Sequence, residues 1–95
     1  MTTKEYKDFI LERIELPILA KPMMGGYLFY YENVLFGGIY TNDNFLIKKT
    51  KSNGQFSLSE EIPYQGGKPM YLIEDFESVA LLKEIIVETC NDLKK

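Results

Sequence analysis

Apolar positions recur along this chain with two different periods, and the change between them divides it into elements. Near the start, Tyr6, Phe9, Ile10 and Ile14 fall at helical spacing and form one stripe, with Glu5, Asp8 and Glu12 largely off it. This predicts a helix over residues 3–15. Thr2 and Glu5 have the spacing of a capping box, and Pro17 stops the helix because the residue before a proline leaves the α region. Residues 18–24 then read as a strand that Pro22, lacking an amide donor, either breaks or confines to an edge. Gly25-Gly26 turns the chain into a strand over residues 27–32, and a third strand follows over 34–41. Asn42-Asp43-Asn44 is turn chemistry, followed by a fourth strand over 45–48. Residues 50–65 are irregular, with Phe56 and Leu58 able to anchor a short helical turn, and residues 63–69 form a loop rich in breakers. A fifth strand over 70–74 leads to a final helix over 77–93. Its stripe is Val79, Leu82, Ile86, Cys90 and Leu93, widened by Leu81 and Ile85. No repeat, linker or low-complexity stretch interrupts the pattern, so residues 1–95 read as one domain.

The middle of the chain, from Lys21 to Tyr40, is almost continuously apolar and aromatic, and the rest is arranged to cover it. Glu32-Asn33 reads as a two-residue hairpin turn. That register sets Tyr31 opposite Val34, Phe29 opposite Phe36 and Tyr27 opposite Gly38, all on one face because strand side chains alternate. By the same parity Tyr40, Phe45 and Ile47 join them. Leu28, Tyr30, Leu35, Ile39 and Leu46 fall on the other face. Neither face is polar, whereas a sheet with one solvated face alternates apolar and polar positions. The expectation is an α+β, two-layer fold: an antiparallel sheet of about five strands with the N- and C-terminal helices packed on the larger, more aromatic face. The second face is then a candidate partner surface, closed by a homodimer or a hetero-partner, with Tyr30 and Leu35 near its centre. A competing expectation has residues 50–65 fold over it, with Phe56, Leu58 and Ile62 as cover.

Composition narrows the function classes. At 95 residues, 45% hydrophobic and 26% charged, the chain is an ordinary small globular domain. It contains no run of about 18 apolar residues to span a membrane, and no apolar segment follows the N-terminus to form a signal peptide. The one cysteine, Cys90, makes no internal disulfide, and these features together predict a cytoplasmic setting. Net charge is −3, and the densest basic run is Lys48-Lys49-Thr50-Lys51, which reads as a solvated strand end. Direct DNA binding would call for a basic face.

Candidate chemistry is sparse. There is no histidine, which removes the usual base near neutral pH and the commonest metal ligand. Cys90 sits on the apolar stripe of the last helix and reads as an inert buried thiol. Glu60-Glu61 and Glu74-Asp75 are sequence neighbours whose side chains diverge on a strand, so neither pair makes a carboxylate dyad. Gly25-Gly26 and Gly37-Gly38 lack dinucleotide spacing and read as turn and close-packing glycines. Gly66-Gly67-Lys68 fails as a phosphate loop, since Pro69 stands where Ser or Thr belongs. Backbone amides beside a lysine still make Gly66, Gly67 and Lys68 a candidate anion or ligand loop. No residue is assigned a catalytic, cofactor or metal role. An enzyme or small-ligand protein built on the Gly66–Lys68 loop is the alternative to a binding module.

Three motifs carry a family resemblance: Lys21-Pro22-Met23-Met24-Gly25, the hairpin from Tyr27 to Gly38 containing Leu35-Phe36-Gly37, and Pro63-Tyr64-Gln65-Gly66-Gly67-Lys68-Pro69-Met70. In this order they resemble the N-terminal domain of TfoX/Sxy competence regulators over nearly the whole chain. The chain departs from the family's frequent residues at Lys21 (often Arg), at Glu32-Asn33 (often Asp-Gly), and at Gln65 and Gly67 (often Pro and Ala). The resemblance implies a two-layer α/β fold with an antiparallel sheet, and a regulatory role in DNA-uptake competence or transcription exerted through protein contacts. Full-length TfoX regulators carry a second, helical domain in addition. The resemblance implies no catalytic residues.

Overall fold

The capping box forms as its spacing predicts. The Glu5 amide donates to Thr2 Oγ1 at 3.1 Å and the Thr2 amide donates to Glu5 Oε1 at 2.9 Å, which satisfies two amides at the helix start. The computed structural model describes residues 2–40 and 43–94. The first helix, α1, runs Thr3–Ile14, and Glu15 closes it in the left-handed region at φ 62°. Six strands follow: β1 Ile18–Met23, β2 Gly26–Tyr31, β3 Val34–Tyr40, β4 Asn44–Ile47, β5 Ser59–Glu61 and β6 Met70–Leu72. They form one antiparallel sheet in the order β1-β2-β3-β4-β6-β5. The second helix, α2, runs Val79–Leu93 and is capped by the Ser78 hydroxyl, which accepts from the Leu81 amide at 3.2 Å. The expected α+β architecture is present. β1 lies at an edge, the place in a sheet where a proline such as Pro22 is tolerated. The other edge, β5, is a short Ser-Glu-Glu strand with no apolar alternation to announce it. Thr41 and Asn42, to which the sequence assigns a strand end and the start of a turn, lie outside the described residues.

The hairpin turn is as expected, but the register beyond it is not. Glu32 and Asn33 sit at φ 50° and 67°, the pair of left-handed residues that a two-residue hairpin needs. Tyr31 pairs with Val34 and Tyr30 with Leu35. Phe29 then pairs with Gly37, so Phe36 is an extra residue on β3. Such a bulge reverses the parity of the rest of the strand. Tyr27 therefore faces Ile39 rather than Gly38. Ile39 joins the aromatic face, where it is fully buried, and Tyr40 moves to the opposite face. The assignment of Ile39 to the partner face is thereby corrected. The glycine pair makes this geometry available: a Cβ on Gly37 would lie 2.2 Å from the Leu46 carbonyl oxygen, and one on Gly38 2.1 Å from that of Tyr27. Phe29 and Phe36, no longer directly opposed, keep their ring centroids 6.2 Å apart.

Both helices cover the same face. Ile10 and Ile14 of α1 and Leu82, Ile85, Ile86 and Cys90 of α2 share one core with Phe29, Phe36, Phe45 and Ile47. Phe45 stands edge-on to Phe29 at 5.5 Å and stacks on Phe76 at 6.2 Å. The Arg13 guanidinium ties α1 to the segment leading into α2 by donating to the Phe76 and Glu77 carbonyls at 2.7 and 3.3 Å.

The irregular segment also goes to the helix side. Asn53–Phe56 is a single 3-10 turn. The Asn53 side chain is wholly buried; it accepts from the Thr50 amide and donates to the Lys48 carbonyl and Thr89 Oγ1, all within 2.9 Å. Ser52 donates its amide and hydroxyl to the Asp92 carboxylate. These bonds pin the segment to α2. Phe56 and Leu58 consequently pack against the helix-side core and Ile62 is left 57% exposed, so the cover expected from these three for the second face does not form.

Candidate functional site

The second face carries its own small cluster, in which Leu46 is fully buried and Tyr40 and Met70 nearly so, with Met23, Leu28 and Leu72 packed against them. Above this cluster the chain leaves a cleft of about 960 Å³. Its floor is Met23 from β1, Leu28 from β2, Leu35 and Tyr40 from β3, and Met70 from β6. One wall is the loop over residues 63–69. Pro63 is buried and roots this loop. A tight turn follows in which the Gly67 amide donates to the Tyr64 carbonyl at 2.9 Å, with Gly66 at φ 85° in the position that requires a left-handed residue. The candidate anion loop is thus a turn whose Gly67 amide is already bonded, and Lys68 is the charged group it brings to the cleft.

Three lysines, Lys48, Lys49 and Lys68, line the cleft, and no acidic side chain does. They are not equivalent. Lys49 Nζ lies 2.9 Å from Glu60 Oε1 and 5.5 Å above the Tyr71 ring, and the Glu60 hydrogen bond raises its pKa. Among the described residues Lys48 and Lys68 form no ion pair. Burial is the main reason the Tyr40 hydroxyl titrates above its ordinary value, and the neighbouring Tyr64 and Tyr30 add to it. A neutral phenol that donates or accepts one hydrogen bond suits recognition.

Two separately argued sets of residues therefore meet in one place. Leu28 and Leu35 form the floor and Gly66, Gly67 and Lys68 the wall. Tyr30 lies just outside, in a smaller groove of about 340 Å³ shared with Pro17, Leu19 and Lys21, and Lys21 Nζ sits 5.1 Å over its ring. Leu46 lies beneath the floor, and Ile39 belongs to the other face. Sequence reasoning missed Met23, Tyr40 and Met70 as floor residues and Lys48 as a rim cation. Correct parity for Tyr40 was available in the Gly37-Gly38 pair, since glycine inside a strand is a bulge signal.

The remaining reactive groups lie elsewhere. Cys90 is buried on the helix side, and burial pushes its thiol up to about 11. Among the described residues no cluster of three or more His, Cys, Asp or Glu is placed to hold a metal ion, and no helix is long and apolar enough to cross a membrane. No protein-family model matches this sequence, and no curated protein matches it at a significant level. The three stretches Lys21–Gly25, Tyr27–Gly38 and Pro63–Met70 all contribute residues to the cleft: Met23 from the first, Leu28 and Leu35 from the second, and Lys68 and Met70 among those from the third.

Proposed function

We propose that this chain is a non-enzymatic, cytoplasmic binding module of the TfoX N-terminal type, which holds a protein partner against the second face of its sheet. The observation that carries this reading is the asymmetry of cover. Two helices seal one face, while the other is left as an apolar cleft with a built wall and a cationic rim. Exposed apolar surface of this kind marks interaction sites. The side chains lining the cleft include no acid–base pair, and Cys90, the one thiol, is buried on the opposite side. Regulation of competence or transcription is the process that the resemblance implies, and duplex DNA fits poorly with a net charge of −3.

Site-specific photocrosslinking in cells tests the reading. A crosslinker at Leu35, on the cleft floor, is expected to give discrete adducts with a partner. One at Leu81, exposed on α2, is expected to give none. Adducts from Leu81 alone would place recognition on the helix layer and end the proposal. A second reading, a small anionic ligand in the same cleft, is favoured by its volume, which lies within the ~300–1,000 Å³ usual for small-molecule sites. Such a ligand would compete with the partner's adducts.

A further inference from the structure

The charge at the cleft is at odds with the charge of the chain. Acidic residues outnumber basic ones 14 to 11, yet three of those 11 cations line one apolar cleft with no acid among the lining residues. Glu60 neutralises Lys49 from the outer strand. Glu61, opposite Met70 on β5, is not a lining residue. Lys48 and Lys68 are left with no ion pair among the described residues, at the edge of the Leu28, Leu35 and Tyr40 floor. The apolar surface also continues past the cleft. Leu35 pairs with Tyr30, and Tyr30 leads to Leu19, 56% exposed, and to Lys21 on the far edge. From β6 across to β1 the face crosses four strand spacings, about 19 Å at ~4.8 Å each. That is the length of a helix of ~13 residues.

We propose that the occupant of this face is an acidic, apolar peptide segment of a partner protein, its carboxylates meeting Lys48 and Lys68 and its apolar side chains lying on Leu28, Leu35 and Tyr40. The proposal rests on the reading of the second face as the recognition surface and adds the chemistry of what is recognised. An amphipathic segment laid into an apolar groove is a recurrent mode of peptide recognition, and complementary charge at the rim sets its orientation and selects against wrong partners. A second copy of this chain fits less well. A two-fold interface centred here would set the lysine rim of one copy near that of the other, and like charges brought together cost affinity. A small carboxylate would satisfy Lys48 and Lys68 but leave the Leu19 and Tyr30 end of the surface bare.

The test uses the purified chain and labelled peptides of ~13 residues with one fixed helical pattern of Leu and Phe, and with Glu, Gln or Lys at the remaining positions. Binding is read by fluorescence anisotropy and mapped by amide chemical shifts. The Glu peptide is expected to shift Leu28, Leu35, Tyr40 and Lys68, to bind at least ~10-fold tighter than the Lys peptide at low salt, and to weaken as salt rises. The Lys48→Glu, Lys68→Glu double variant should reverse that order, and the Lys48→Gln, Lys68→Gln variant should abolish it. Among the described residues these ammonium groups hold no ion pair, so the variants are expected to remain folded, which circular dichroism checks. Equal binding of all three peptides at the cleft would overturn the charge assignment and leave the second-face reading standing. Decanoate shifting the cleft while the Glu peptide does not would make the occupant a free carboxylate and overturn the proposal. Concentration-dependent dimerisation that shifts the same residues would assign the face to a second copy. Peptides that shift only residues elsewhere would end both this proposal and the reading beneath it.

Discussion

The two faces of this sheet are built from the same short strands and finished differently. On the helix side Phe29, Phe36, Ile39, Phe45 and Ile47 are wholly excluded from solvent, in one core with side chains from both helices. On the other side, among the described residues, Leu46 alone of the clustered side chains reaches that state, and the residues around it stop at a loop and a lysine rim. The first face therefore supplies stability, because apolar area removed from water is the main favourable term in folding. The second face keeps an apolar floor that is still reachable, which is what the proposed recognition requires. Substitutions should separate the two: on one side they cost stability, on the other they cost binding.

The largest effect belongs to the aromatic centre of the helix face. Phe29→Ala and Phe36→Ala are each expected to lose about 3–5 kcal/mol in urea unfolding, a large part of what a domain of this size has to lose. Losses under ~1 kcal/mol for both would remove the distinction between the faces. Next comes the lock that sends the irregular segment to the helix side. Asn53→Ala removes the partner of the part-buried Thr50 amide and Lys48 carbonyl, at about 1–3 kcal/mol. The variant should also loosen the segment over residues 50–58, which hydrogen exchange would register as faster exchange there than in β2. An unchanged exchange pattern would mean that Phe56 and Leu58, not Asn53, decide where the segment goes.

The third effect is a pH dependence. A protonated thiol is neutral, and burial raises the Cys90 pKa from 9.0 to about 11. Below pH ~8.5 the thiol is protonated in both folded and unfolded chains and its contribution is fully present. Between pH 9 and 11 the unfolded chain releases the proton while the folded chain keeps it, so stability falls as pH rises through that window, by ~2 kcal/mol. Tyr6 and Tyr40, also raised by burial, extend the fall upward. Cys90→Ala should flatten the 9-to-11 part of the curve, and identical slopes would show that the thiol reaches solvent in the folded state.

Most of the architecture was legible in the residues, and what was not has physical causes. Thr2 and Glu5, the stripes of α1 and α2, and the Glu32-Asn33 turn are local signals, and local physics decided them. The face assignment of Leu28 and Phe29 followed from alternation. It failed at Ile39 and Tyr40, because one extra residue at Phe36 reverses the parity of the rest of β3, and alternation has no means of registering an insertion. β5 and the docking of Asn53 on Thr89 are settled by pairing and hydrogen bonds between distant parts of the chain. Of the residues that line the cleft, Leu28, Leu35 and Lys68 were read from the sequence, but as members of two separate surfaces. Only the packing of residues 63–69 beside the second face joins them.

The smallest stability effect, and the sharpest contrast with Phe36 on the same strand, is expected from Leu35→Asp. Leu35 is half-buried, on the cleft floor rather than in the core, and substitutions outside a packed core commonly cost ~1 kcal/mol or less. The carboxylate would sit within reach of the lysine rim, which offsets part of the lost apolar contact. Urea unfolding of Leu35→Asp should therefore lie close to wild type, while Phe36→Ala, one residue along, lies far below it. Binding should invert that order: the new charge occupies the place where a partner's apolar side chain would lie and repels the acids flanking it. Sedimentation completes the comparison. Wild type and variant are both expected to be monomers at micromolar concentration, because the lysine rim disfavours self-pairing. A wild-type dimer that Leu35→Asp dissociates would show that this face closes on a second copy, and the contrast between a stability face and a hetero-recognition face would give way to two faces that both serve the fold.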